Sequence, residues 1–179
     1  KREMSLSSFL ETATILDIQK ALDKRRFSSY DLVIFYLERI AAHDSSGANI
    51  NSVLELNPDA VFIAQALDQE RDRQGPRSPL HGIPILLKDN IDTGDKMHTS
   101  AGSLALADSY AGQDAYLVHC LRQAGAIILG KTNMTEWANF MTRGMKNGYS
   151  SRGVQVLNPY GPGEFDVGGS SSGSGARSE

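Results

Sequence analysis

A serine attacks a carbonyl only when a base takes its proton, and this sequence offers candidates for both parts: a dense run of serines and a lysine that closes an apolar run. The run is Gly168-Gly169-Ser170-Ser171-Ser172-Gly173-Ser174. Its small residues let the backbone fold tightly and present hydroxyls and N–H groups to one small volume, which suits an oxyanion or a phosphate. No Lys follows Gly173, so the run is not a P-loop. It does not follow an early strand as a dinucleotide fingerprint does, and it lacks the Gly-x-Ser-x-Gly elbow of the α/β-hydrolases. By composition alone, Gly161 to Ser178 also reads as a flexible linker.

The lysine is Lys88, which follows the apolar run Ile83-Pro84-Ile85-Leu86-Leu87 and so stands at the C-terminal end of a buried strand, where open α/β sheets place their sites. Burial there favours the neutral amine, a base near neutral pH. Two other outcomes fit the same spacing: the stem packs while the ammonium reaches solvent, or the adjacent Asp89 pairs with Lys88 and keeps it charged. His43, His81, His98 and His119 show no paired spacing with an acidic residue that would make a metal site or a triad, and are read as structural. A serine and lysine pair is therefore the better candidate for nucleophilic chemistry, with no cofactor and no metal expected.

The elements that must position these groups fall into two stretches. Ile15, Ile18, Ala21 and Leu22 recur at helical spacing from Thr14 to about Lys24, with Thr12 or Thr14 as the cap. Ser28 and Asp31 form a capping box before Leu32, Phe35, Tyr36, Arg39 and Ile40, which predicts a helix ending near His43. Val53 to Leu56 is a short apolar stretch, and a further helix is expected from about Pro58 to Arg73, followed by a Gly/Pro connection over Gln74 to Pro79. Beyond His81 the pattern becomes strand, helix, strand: Ile83 to Leu87, Ala115 to Ala124 closed by Gly125, and Ala126 to Leu129 ended by Gly130. That order predicts an α/β sandwich with a mainly parallel sheet.

Composition bounds the rest. With 179 residues, 40% hydrophobic and 22% charged, the chain has the profile of a soluble globular protein with one core. A net charge of -3 with dispersed Lys and Arg argues against direct binding of nucleic acid. The single cysteine, Cys120, excludes an intrachain disulfide and is expected to be a buried small hydrophobe. No signal peptide or membrane span is legible, which points to the cytoplasm and away from the membrane.

Three motifs in order resemble the amidase-signature family: Gly82-Ile83-Pro84-Ile85-Leu86-Leu87-Lys88-Asp89-Asn90, then Gly130-Lys131-Thr132-Asn133-Met134-Thr135-Glu136, then Gly168 through Ala176. Thr99-Ser100-Ala101-Gly102-Ser103 and the helical N-terminal region also fit. The resemblance implies an α/β/α sandwich with a mixed, mainly parallel sheet, and hydrolysis of small-molecule amides through a lysine, bridging serine and nucleophilic serine. Lys88 matches the basic lysine, and Ser170 matches the bridging serine, which in this family follows a cis peptide bond. The family's nucleophile lies in a second Gly-Ser motif, implied to stand beyond Glu179 with the main oxyanion donors. Ser171, Ser172 and Ser174 match no nucleophile position. Residues 1–179 are then expected to be the N-terminal part of one domain: 1–75 mainly helical, 76–179 α/β with the lysine and Gly/Ser motifs. Such a part would be inactive by itself and prone to self-association. The A subunit of a tRNA-dependent amidotransferase and a non-catalytic, truncated pseudo-enzyme are the alternative readings.

Overall fold

The computed structural model describes residues 5–177. Local hydrogen-bonding chemistry starts the helices where the sequence pattern places them. Helix α1 spans Leu6–Leu10, and α2 spans Ile15–Asp23. In α2, Thr14 accepts from the Asp17 backbone while the Asp17 carboxylate accepts from the Thr14 N–H. Ser28 and Asp31 form the same reciprocal cap on α3, Ser29–His43. Asp68, from α4 (Ala60–Gln74), accepts from the N–H groups of Ser29 and Tyr30 and so satisfies two further donors at the start of α3.

Three strands form the sheet in the order β1-β3-β2: β1 is Val53–Leu56, β2 is Pro84–Lys88 and β3 is Ile127–Thr132. β3 lies between a parallel β2 and an antiparallel β1, so the sheet is mixed. Helix α5, Tyr116–Gln123, connects β2 to β3, the strand-helix-strand unit that the sequence predicts. The short apolar stretch Val53 to Leu56 joins the sheet as β1. Helices cover both faces. Val33, Ile40, Ala64 and Leu67 of α3 and α4 pack on Ile127 and Leu129, and Val118 and Leu121 of α5 pack with Leu87, Met97 and Ile128 on the other side. The result is an α/β/α layering around one sheet. A small hairpin, β4 (Tyr149–Ser150) with β5 (Val154–Gln155), and helix α6 (Ser172–Arg177) complete the described elements.

Two bulges decide which side chains meet at the end of the sheet. Between β2 and β3 the register steps from Ile85↔Ile128 to Leu86↔Gly130, so Leu129 is an extra residue. Registered neighbours in a sheet project to the same face. After the bulge Lys131 therefore shares the α5 face with Leu87, and Thr132 shares the α3–α4 face with Lys88. A matching step between Val53 and Glu55 brings Glu55 opposite Lys131.

Two expectations need correction. β3 does not end at Gly130 but continues through Lys131 and Thr132, both fully buried, because their polar ends find partners inside the protein. Cys120 is exposed. α5 turns Val118 and Leu121 inward, and Cys120 falls on the opposite side of the helix beside the exposed Tyr116 and Leu117.

Candidate active site

Lys88 sits at the last position of β2 on the α3–α4 face, and its Nζ lies 2.7 Å from Ser170 Oγ. The side chain is half-buried. Burial lowers the pKa of its amine from the ordinary lysine value, and no charged neighbour offsets that burial. Of the outcomes open at the sequence level, the amine thus meets a hydroxyl rather than bulk solvent. Asp89 does not pair with it. As the next residue along the chain, Asp89 projects to the opposite face and is fully buried there. Its Oδ2 accepts from Gly102 N at 2.9 Å and from the Ser100 hydroxyl.

The Gly/Ser run is built into the fold rather than being a linker. The Gly169–Ser170 peptide bond is cis, as the resemblance implies. Ser170 is fixed by its carbonyl, which accepts from Thr135 N at 3.0 Å. Ser172 donates to Gly168 O at 2.8 Å, closing the loop on itself, and is almost fully buried. Gly173 N donates to Asn133 O at 2.9 Å. A Cβ at position 173 would come within 2.5 Å of that same oxygen and within 2.3 Å of Ser52 O, so only glycine allows this approach. Ser174 and Thr132 share a hydrogen bond of 2.9 Å between their hydroxyls. Lys88, Thr132, Ser170 and Ser174 thus form a small cluster of one amine and three hydroxyls at the C-terminal edge of β2 and β3, where α6 begins. Below it, Leu86, Leu129, Thr132, Ser174 and Ala176 line a groove of 780 Å³ together with residues of α1 and α3.

The arrangement can move a proton. A neutral Lys88 amine accepts the Ser170 O–H, and the Ser170 oxygen is then able to accept a proton from a third hydroxyl. Ser172 and Ser174 are held by the bonds just described and so are not free to play that third part next to Ser170, and Ser171 is exposed.

Sequence reasoning missed the second lysine, Lys131. Its ammonium is fully buried and donates to Ile91 O at 2.9 Å, His98 O at 3.0 Å and Thr99 Oγ1 at 3.1 Å. Burial lowers its pKa, and the charge of Asp89, with Asp95, Glu55 and Asp92, works against that fall. Its place in the Gly130-Lys131-Thr132-Asn133 motif was the available signal, but a role required the bulge that turns it toward Asp89. Two of the histidines have structural partners: His81 is fully buried with Nε2 2.9 Å from Leu67 O, and His98 Nδ1 lies 2.8 Å from Glu55. Among the described residues no group of His, Cys, Asp and Glu could hold a metal ion, and no helix is long and apolar enough to cross a membrane.

The Amidase family model matches residues 31–177. The crystal structure of the native peptide amidase from Stenotrophomonas maltophilia superposes with a TM-score of 0.88 at 49% identity, over 93% of this chain and 33% of that enzyme. A protein named Probable amidase in Arabidopsis thaliana is 43% identical over 159 residues, 88% of this chain and 30% of its own length. The A chain of the glutamyl-tRNA(Gln) amidotransferase of Salinibacter ruber is 41% identical over 168 residues, 93% of this chain and 30% of its own length. The chain thus spans about a third of the length of the relatives it matches.

Proposed function

The chain belongs to the amidase family, and from that premise we propose that the polypeptide carrying it hydrolyses carboxylic amide C–N bonds, with Lys88 as the base and Ser170 as the bridging hydroxyl. The observation that carries the reading is the 2.7 Å contact between a desolvated amine with no anionic partner and a serine hydroxyl. Lys88 takes the Ser170 proton as Ser170 takes that of a nucleophilic serine, which the family resemblance puts downstream of Glu179. That serine attacks the amide carbonyl. The proton returns through Ser170 to the leaving nitrogen, the C–N bond breaks, and an acyl-enzyme forms. Water, deprotonated by the same relay, then releases the carboxylic acid and restores the serine. No cofactor enters this cycle.

We read residues 1–179 as the N-terminal part of a single catalytic domain. The substrate class is a small-molecule amide, and the 49% identity to a peptide amidase favours the amide of a peptide. The exposed thiol of Cys120 fits a reducing compartment, the cytoplasm. A second reading keeps the same relay in the A chain of a tRNA-dependent amidotransferase, and it rests on a relative of that kind at 41% identity.

The test is release of ammonia from a C-terminally amidated peptide by the polypeptide that carries this chain together with its downstream Gly-Ser segment. Turnover is expected with no partner protein, and Lys88→Ala should remove most of it, on the order of a hundredfold or more, while leaving the protein folded. Full turnover by Lys88→Ala would end the relay reading, and ammonia release only in a complex of several different chains would favour the amidotransferase.

A further inference from the structure

The strongest unassigned feature is the buried charge cluster on the α5 face, directly behind the Lys88 site. Asp89 is fully buried, and its Oδ1 accepts no hydrogen bond among the described residues; the nearest cation to it is Arg152, with Nη1 3.7 Å away. Arg152 also donates to Ser100 Oγ at 2.9 Å and to Glu55 Oε2 at 2.7 Å. Lys131 stands on the same face with all three donors taken, by two backbone carbonyls and one hydroxyl. Two carbonyls and a hydroxyl match the three N–H groups of an ammonium, and the negative charges of Asp89, Asp95, Glu55 and Asp92 favour that charged form against burial.

An anion this deep is costly unless cations hold it. Without them, the other cation within one residue of Asp89 is Lys88 itself. We infer that Asp89, Lys131 and Arg152 are positioning residues for Lys88: the two cations retain the carboxylate on the far face of the sheet, so the amine that meets Ser170 has no anionic partner. The inference deepens the proposed relay and rests on Lys88 being its base, although its test does not need turnover. The geometry has three parts. The bulge after Ile85↔Ile128 aims Lys131 at the Asp89 face; were Leu129 paired with Leu86 in an unbroken register, Lys131 would stand opposite Lys88 and share its face. Asp89 also holds the loop that returns beside it, with its main-chain oxygen accepting from Ser100 N at 3.3 Å and Ala101 N at 3.4 Å. Arg152 fastens that loop again by donating its N–H to Gly102 O at 3.0 Å.

The charged groups on the two faces are distinct. Around Asp89 stand Arg152, Lys131, Glu55 and His98, with Asp92 and Asp95 further along the same loop. On the Lys88 face, β3 contributes Thr132 and α6 Ser172 and Ser174, none of them charged, while α1 and α3 bring Glu11, Arg39 and His43 to the groove below.

The experiment is competitive acetylation of this chain with limiting acetic anhydride as a function of pH. Mass spectrometry reads the Lys88 peptide against that of exposed Lys24, and circular dichroism checks each variant for folding. Asp89→Asn removes the anion and leaves the cations, so the Lys88 midpoint should fall by about half a pH unit. Arg152→Gln frees the anion, so the midpoint should rise by a similar amount, the size expected for one charge acting across a sheet. Shifts of opposite sign are what a merely structural role does not give. Unchanged midpoints in both variants, or a shift of the same sign in both, would overturn the inference. Arg152 lies nearer the surface, so if Asp89→Asn fails to fold, Arg152→Gln decides alone: a rise supports the inference and no rise ends it. A positive result beside absent amide turnover would separate this inference from the proposed activity.

Discussion

At the ends of β2 and β3, the face that carries Lys88 and Thr132 holds one ammonium or amine and several hydroxyls, whereas the face that carries Asp89 and Lys131 holds paired charges with nearly every donor and acceptor used. Both faces are built by the same two strands and differ by single steps along the chain, Lys88 to Asp89 and Lys131 to Thr132. On the charged face, burial is tolerated because each ion is held by partners of opposite sign or by backbone groups. On the other, burial acts on a lysine that has only a serine hydroxyl to meet. The contrast teaches that two lysines on the same pair of strands differ by whether an anion is supplied or withheld. Lys131, with its polar partners all supplied, fastens the loop, whereas Lys88 is denied an anion, as the proposed role of base requires.

The contrast should appear first in stability. Lys131→Met removes three buried hydrogen bonds and strands Asp89 with one cation fewer, so chemical denaturation should register a loss of about 3 kcal/mol or more. Lys88→Met deletes one bond from a half-buried group and should stay within about 1 kcal/mol of the parent. Equal losses would mean that the two lysines do the same work. A smaller effect should follow from acid. Burial opposes ionisation of Glu55, but hydrogen bonds from Arg152 and His98 outweigh it and hold its pKa below the usual carboxylate range. A depressed acid contributes stability above its unfolded pKa and loses it as pH falls through the folded one. Stability followed by denaturation from pH 6 downward should therefore decline in the acid range, and Glu55→Gln should flatten part of that decline; an unaltered profile would show the charged face to be less tightly coupled than its geometry indicates.

Much of the fold was legible because its signals are local. Thr14, Ser28 and Asp31 announce helix starts through hydroxyl and carboxylate chemistry that operates within four residues, and the run Ile83 to Leu87 announces a buried strand. Val53 to Leu56 gave too short a pattern to be read as a strand, since its partner β3 lies more than seventy residues away. At the site, Lys88 and Ser170 were reachable through motif resemblance, and Lys88 also through its place after a strand. Lys131 was not, because its orientation depends on a bulge, and a bulge is a property of strand pairing rather than of either strand alone. The side on which Cys120 falls was not legible either, because the segment Leu117-Val118-His119-Cys120-Leu121 is apolar on two sides of the helix, and only the packed sheet decides which side turns inward.

The most direct measurement for the central claim is the titration of the Lys88 ammonium in this chain by nitrogen-15 NMR with lysine side-chain labelling, assigned by comparison with Lys88→Met. The account predicts a midpoint clearly below the ~10.4 of a free lysine side chain, since burial without a counter-charge disfavours the ammonium. A midpoint at or above that value would mean that Lys88 is held charged, and the relay through Ser170 would lose its base.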